Sequence, residues 1–148
     1  MASMTTLDDV IALGARDSGL VVVATTRADG TVQASVVNAG VMDHPVSGDR
    51  VVALVTYGAA KLRNLRARPR LTVTFRAGWE WATVEGPAEL IGPDDPHPAI
   101  DAEALRVLLR DVFVAAGGTH DDWDEYDRVM AAQRRTVVFV DPERVYSN

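Results

Sequence analysis

Lys61 is the only lysine in the chain; the other cations are arginines. It sits in Thr56-Tyr57-Gly58-Ala59-Ala60-Lys61-Leu62-Arg63-Asn64-Leu65. The small residues leave backbone N–H groups open at the start of a short predicted helix. A helix N-terminus beside an ammonium is a natural phosphate cradle. Arg63, Arg66, Arg68 and Arg70 crowd behind it. The same run also fits a solvated, charged helix face. Trp79 and Trp81 fall on one face of a predicted strand, where flat rings stack on a planar ligand or line an apolar cleft. They would equally suit a core or a dimer interface. Gln33 and Ser35 share another strand face, and amides and hydroxyls there can read the donor and acceptor edge of a heterocycle.

Other chemistry has no residues to carry it. His44, His97 and His120 are far apart in predicted loops, none with a second histidine at ligand spacing, so they read as solvated and no zinc site is expected. There are no cysteines, hence no disulfides, thiolate sites or Cys nucleophiles, which suits a cytoplasmic protein. The sequence holds no G-x-S-x-G elbow, no G-x-G-x-x-G and no P-loop. Asp121, Asp122, Asp124, Glu125 and Asp127 lack the Asx–Gly spacing of a calcium loop and instead favour a helix N-terminus. The net charge of -6 argues against nucleic acid or an anionic membrane as partner. No apolar run approaches the roughly 20 residues of a membrane-spanning helix. Met1 to Thr6 shows no basic stretch leading into an apolar one, so no secretory signal is expected.

The elements that must position these residues follow from periodicity. The 148 residues are 47% apolar, enough for one domain over 1–148 with a sizeable core. Thr6 caps a short helix, with Asp9 three residues on. Leu20 to Thr26 and Thr31 to Val41 read as a hairpin about Ala28-Asp29-Gly30. Val51 to Thr56 is a third strand. Gly58 opens a helix with Leu62 and Leu65 inside, bounded by Pro69. Leu71 to Phe75 and Trp79 to Leu90 are further strands. Leu105, Leu108, Leu109, Val112 and Phe113 follow helical spacing behind an Asp101 cap, and Gly117-Gly118 ends that helix. Thr119 caps another, with Trp123, Tyr126 and Met130 inward. Thr136 to Val140 is the last predicted strand, stopped by Asp141-Pro142. Hairpin-linked strands with no βαβ alternation predict an α+β domain, an antiparallel sheet or small barrel with helices outside.

Together these segments resemble a known family. Val21-Val22-Val23-Ala24-Thr25-Thr26-Arg27-Ala28-Asp29-Gly30 with Gln33-Ala34-Ser35 is similar to the opening hairpin of the pyridoxamine 5'-phosphate oxidase-like split β-barrel proteins. Lys61 to Arg70 resembles that family's K-x-R-N-L-x-x-x-P-R helix, and Gly78 to Ala88 its V-x-G-x-A strand. His120 to Tyr126, Arg134-Arg135 and Val145-Tyr146 resemble the actinobacterial flavin/deazaflavin oxidoreductase branch, the FDOR-B type, that uses coenzyme F420.

The resemblance implies a six-stranded antiparallel split β-barrel with peripheral helices, working as a homodimer. It implies F420 as cofactor, with FMN as the alternative, and hydride transfer from reduced F420 to an unsaturated or quinone-like small molecule. A non-catalytic cofactor store on the same fold is the other reading, and an interaction protein without cofactor a further one. The phosphate side would be Val55, Thr56, Ala60 and Lys61, supported by Asn64. The ring would lie along Gln33, Ala34, Ser35 and Val36, near Trp79, Trp81 and Ala82. Backbone N–H groups near Ser35 and Val36 would stabilise charge on the ring, and Arg134 or Arg135 of the partner subunit would reach the acidic tail. The Tyr57-Gly58-Ala59-Ala60 approach lacks an arginine often found there. No dedicated nucleophile is expected; a proton would come from water or Tyr57.

Overall fold

The computed structural model describes residues 5–148. Residues 1–4, which the signal-peptide reading partly involves, lie outside the described residues. Helix α1 (Leu7–Ala15) starts at a capping box: the Thr6 side chain accepts from Asp9 N, and Asp9 accepts from Thr6 N. Strands β1 (Leu20–Thr26) and β2 (Val32–Asp43) form the first hairpin. β3 (Arg50–Thr56) leads through Gly58 into α2 (Ala59–Ala67). β4 (Arg70–Ala77) and β5 (Glu80–Ile91) make the second hairpin. Helices α3 (Ala102–Ala115) and α4 (Trp123–Ala132) follow, then β6 (Thr136–Val140) and β7 (Arg144–Ser147).

All pairings are antiparallel, and the neighbours run β4-β1-β2-β3-β6-β5, with β4 also paired to β5. That pairing closes a six-stranded barrel, which removes exposed edges. β7 lies outside, on β5. The expected fold is what the chain adopts. The interior is filled by Val21, Val23, Val52, Leu54, Val73, Phe75, Val84, Val138 and Val140, all almost fully buried. Strands buried on both sides read as unbroken Val runs, which is why β3 and β6 show no alternation in the sequence. A second cluster packs Leu108, Leu109, Val112 and Tyr126 of α3 and α4 on Ala53, Val137 and Phe139.

Two glycines allow backbone to meet backbone. A Cβ at Gly40 would lie 2.1 Å from Ala115 O, so only glycine lets the end of α3 press on β2. A Cβ at Gly86 would lie 1.8 Å from Asp141 O, at the point where β5 leaves β4 and takes β6 as its partner.

Three sequence expectations need correction. The fifth strand begins at Glu80, so Trp79 sits in the β4–β5 turn, 93% exposed, and shares no strand face with Trp81. The cap of α4 is Asp122, whose side chain accepts from Glu125 N, because His120 Nδ1 accepts from Asp122 N and holds Thr119–Asp122 as a turn. The tail after Asp141-Pro142 returns as β7, a strand too short and polar to signal itself.

Candidate functional site

The end of β3, the start of α2, the middle of β2 and the inner faces of α3 and α4 enclose a cavity of about 580 Å³. Its walls include Val36, Val55, Thr56, Tyr57, Lys61 and Arg135. α3 supplies Val112 and Phe113, and its C-cap Ala116 joins them; they reach the cavity because Gly40 lets α3 sit close.

Lys61 is 8% exposed, yet among the described residues no carboxylate lies within ion-pair distance of it. Burial pushes its pKa down, as expected for an ammonium taken out of water without a counter-charge. It stands in the first turn of α2, whose N-cap Gly58 offers no side-chain cap. The orphan N–H groups of that turn add partial positive charge. Thr56 Oγ1 accepts from Gly58 N at 3.3 Å and shapes the approach.

Arg135 is the second cation. Its guanidinium stacks 3.8 Å from the centre of the Tyr57 ring. Its Nε donates to Gln133 Oε1 at 2.8 Å, and among the described residues its terminal nitrogens donate to no protein acceptor. Burial lowers its pKa, while the nearby Tyr57 and Tyr126 phenols oppose that shift. Tyr126 closes the wall: its hydroxyl donates to Leu109 O at 2.9 Å, and burial pushes its pKa up to about 12.

Behind Lys61 a polar clasp fixes α2 to the barrel. Asn64 Nδ2 donates to Gln33 Oε1 at 3.0 Å and to Thr25 Oγ1 at 3.1 Å. Gln33 therefore spends its carbonyl inside the protein instead of on an exposed strand face. Ser35 is half-buried on that same inward face, and Ala34 points outward with Val36.

Of the twelve residues named from the sequence, Val36, Val55, Thr56 and Lys61 line this cavity. Ala60 is the next residue of the same helical turn, and Gln33 and Asn64 form the clasp. Trp81 and Ala82 line a different groove of about 780 Å³, between α1 and the C-terminal strand. There Arg16 pairs with Glu80 at 2.9 Å, Tyr146 Oη donates to Glu85 at 2.9 Å, and Asn148 bonds Trp81 N and Trp79 O. Arg134 is spent on Asp94 at 2.6 Å, and Arg135 serves its own chain's cavity. The sequence reading missed Tyr57, Phe113 and Tyr126 as walls. Only the β3–β6 register, Thr56 beside Thr136, brings Arg135 next to Tyr57.

Three of the four arginines behind Lys61 are satisfied, while Arg63 is exposed and has no ion-pair partner among the described residues. Arg66 pairs with Asp95 at 2.6 Å, Arg70 with Glu143 at 3.0 Å, and Arg68 Nε donates to Thr26 O at 2.8 Å. The histidines are not simply solvated. His44 Nδ1 accepts from Val46 N and Ser47 N, and its Nε2 lies 2.7 Å from Glu89. His97 and His120 each cap a turn through Nδ1. Among the described residues no group of three or more such side chains could hold a metal ion, and no helix is long and apolar enough to cross a membrane.

Residues 7–148 match the sequence profile described as pyridoxamine 5'-phosphate oxidase. The chain belongs to that family. Solved structures share the fold at low identity. The conserved hypothetical protein Rv2991 of Mycobacterium tuberculosis is 22% identical, with a TM-score of 0.67 over 98% of this chain and 84% of that one. A pyridoxamine 5'-phosphate oxidase-related, FMN-binding protein of Nostoc punctiforme is 16% identical, with a TM-score of 0.58 over 99% and 86%. An F420 reductase is 18% identical, with a TM-score of 0.57 over 86% and 88%.

Proposed function

We propose that the Lys61 cavity holds the phosphate-bearing stem of a flavin-type redox cofactor. We infer that this cofactor is the deazaflavin F420, and that the protein passes a hydride from its reduced form to an unsaturated or quinone-like small molecule. The observation that carries the reading is Lys61 itself: a lysine 8% exposed, lining the cavity with no counter-charge among the described residues, at an uncapped helix start, in a family named for a phosphate-bearing compound. The resemblance of His120 to Tyr126 and of Arg134-Arg135 to the F420-using branch favours F420 over FMN.

The hydride chemistry is the bound cofactor's; the protein supplies binding, orientation and electrostatics. Lys61 and the first-turn N–H groups of α2 hold the anion. The Asn64–Gln33 clasp keeps that turn in place. Phe113, Tyr126 and Met130 keep water from one side of the cavity. The Tyr126 hydroxyl, committed to Leu109 O, keeps its proton, so a proton for the product comes from water or from half-exposed Tyr57.

A homodimer belongs to this proposal. Leu20, Val22, Val32 and Val36 leave apolar surface open on the outer face of the β1–β2 hairpin. Trp79, Trp81 and Ala82 join the cofactor site only if a second copy presents them. Sedimentation is expected to give twice the 16.0 kDa of one chain. A monomer at all concentrations tested removes those three residues from the site.

FMN in the same cradle is the second reading, favoured by a cavity that offers only two cations free of ion pairs, Lys61 and Arg135, among its lining residues. Titration of the apo-protein with F420 and with FMN, read by tryptophan fluorescence, separates the two. F420 is expected to bind more tightly and to support turnover of quinones or enones. Tight FMN binding with no F420 response replaces the cofactor, binding without turnover makes the protein a cofactor store, and no binding of either rejects the site.

A further inference from the structure

Arg135 and Met130 are a party wall: they line a second cavity as well as the first. This one, of about 690 Å³, lies between the Gly92–Asp101 loop, α3 and α4. Its floor is apolar, with Pro93, Pro96, Ile100, Leu105 and Leu109 beside Met130. Its charged lining is four arginines, at 106, 128, 134 and 135, against two aspartates, at 101 and 127. Glu103 and Asp94, just outside the lining, pair with Arg106 and Arg134.

Most of those charges are already used. Arg106 and Arg110 clamp Asp127 at 3.0 and 2.5 Å, and Arg110 first, then Arg106, hold its carboxyl below the usual range. Arg106 also bonds Glu103, and Arg134 bonds Asp94. Arg135 differs. One face of its guanidinium is covered by Tyr57, and only its Nε has a protein acceptor among the described residues. A half-buried guanidinium with unspent donors beside an apolar floor matches a molecule with an anionic head and an apolar body.

We propose that this second cavity is a binding site for an amphipathic organic anion, a carboxylate or sulfonate on an aryl or alkyl body. The head meets the terminal nitrogens of Arg135, and the body lies on Ile100, Leu105 and Leu109. The proposal shares Arg135 with the cofactor reading, because a cofactor that takes up its terminal nitrogens competes with the head, so it is tested on the protein without cofactor.

The test uses 8-anilinonaphthalene-1-sulfonate as probe and decanoate as competitor on the full chain. One saturable equivalent per chain is expected, displaced by decanoate. Ile100→Glu places a carboxylate on the floor, and Arg135→Gln removes the head contact; each is expected to weaken the probe tenfold or more. Arg135→Lys keeps the charge and is expected to retain most of the affinity. Lys61→Ala is expected to leave it unchanged. Circular dichroism confirms each fold, and Ile100→Glu, in a loop, decides the matter if Arg135→Gln fails to fold. Absence of saturable binding overturns the proposal. So does full affinity in Ile100→Glu, and so does loss of binding in Lys61→Ala, which would put the probe in the first cavity.

Discussion

The Lys61 cavity and the Trp81 groove are both large enough for a small molecule, at about 580 and 780 Å³, but they treat their polar groups in opposite ways. In the groove, Arg16, Glu80, Tyr146 and Asn148 each find a protein partner. In the cavity, Lys61 has no carboxylate within ion-pair distance among the described residues, and Arg135 spends one nitrogen of three there. The groove's exposed pairs contribute little to stability. The cavity's cations cost stability in the empty protein, because burial disfavours their charge. A fold keeps such a cost where an anion offsets it. Size alone would have ranked the two sites the other way round.

Lys61→Ala breaks this contrast most sharply. It removes a charge-assisted hydrogen bond worth about 1.5–3 kcal/mol, so cofactor affinity is expected to fall by about tenfold to a hundredfold. The melting temperature of the apo-protein should stay level or rise, since an uncompensated buried charge is lost. An unchanged dissociation constant would reduce Lys61 to a covered stem with no ligand. The same residue sets a pH dependence. Its folded pKa lies below the ordinary 10.5, so the unfolded chain holds more protons between the two values. Apo-protein stability from this group therefore rises with pH across that window, while anion affinity falls as Lys61 loses its charge. Stability and binding curves measured on the parent and on Lys61→Ala check both signs; parallel curves would deny Lys61 the role.

Asn64→Ala comes next. It takes the amide donor from Thr25 Oγ1 and Gln33 Oε1 and leaves only the long 3.4 Å bond from the Thr25 hydroxyl to Gln33, at a cost of about 1–3 kcal/mol in stability. Because the clasp holds the turn that carries Lys61, affinity should fall several-fold as well. A stability loss with full affinity, read by denaturant unfolding beside the titration, would show that the clasp does not position the cradle.

The barrel was legible in the sequence because its hairpins carry local signals: Val-rich runs, an Asp-Gly turn, and only short helical stretches before the long helical period that begins at Leu105. What escaped depends on long-range pairing. β7 has four residues and little apolar content, so nothing marks it before β5 is there to receive it. Trp79 looked like a strand residue because alternation cannot tell the last turn position from the first strand position. Lys61 stood out as a singular residue in a basic run, but its burial could not be read there: the neighbours at Arg66 and Arg70 find carboxylates at Asp95 and Glu143, far along the chain. Arg135 reaches the cavity through the β3–β6 register, in which Thr56 pairs with Thr136, and no local pattern encodes that.

Tyr57→Leu tests the stacking under Arg135. It removes a cation–π contact worth about 0.5–2 kcal/mol and lets the guanidinium move. Cofactor affinity should fall about two- to fivefold, with melting nearly unchanged because Tyr57 is itself half exposed. A larger loss of turnover than of affinity would instead make the Tyr57 hydroxyl the proton donor, and Tyr57→Phe separates the two by keeping the ring.

The smallest effect is the one that guards the contrast from the other side. Arg16→Ala breaks the pair with Glu80, whose side chains are both more than half exposed. Such pairs are worth about 0–1 kcal/mol, so the melting temperature should barely move. Cofactor affinity should stay within twofold, since the groove's cation is spent on its own chain. A tenfold loss of affinity would mean that Arg16 leaves Glu80 to meet the ligand, and the groove would then be half of the cofactor site, brought there by a second copy of the chain. The titration that measures Lys61→Ala measures this variant too, so one data set places the anion in the cavity, in the groove, or across both.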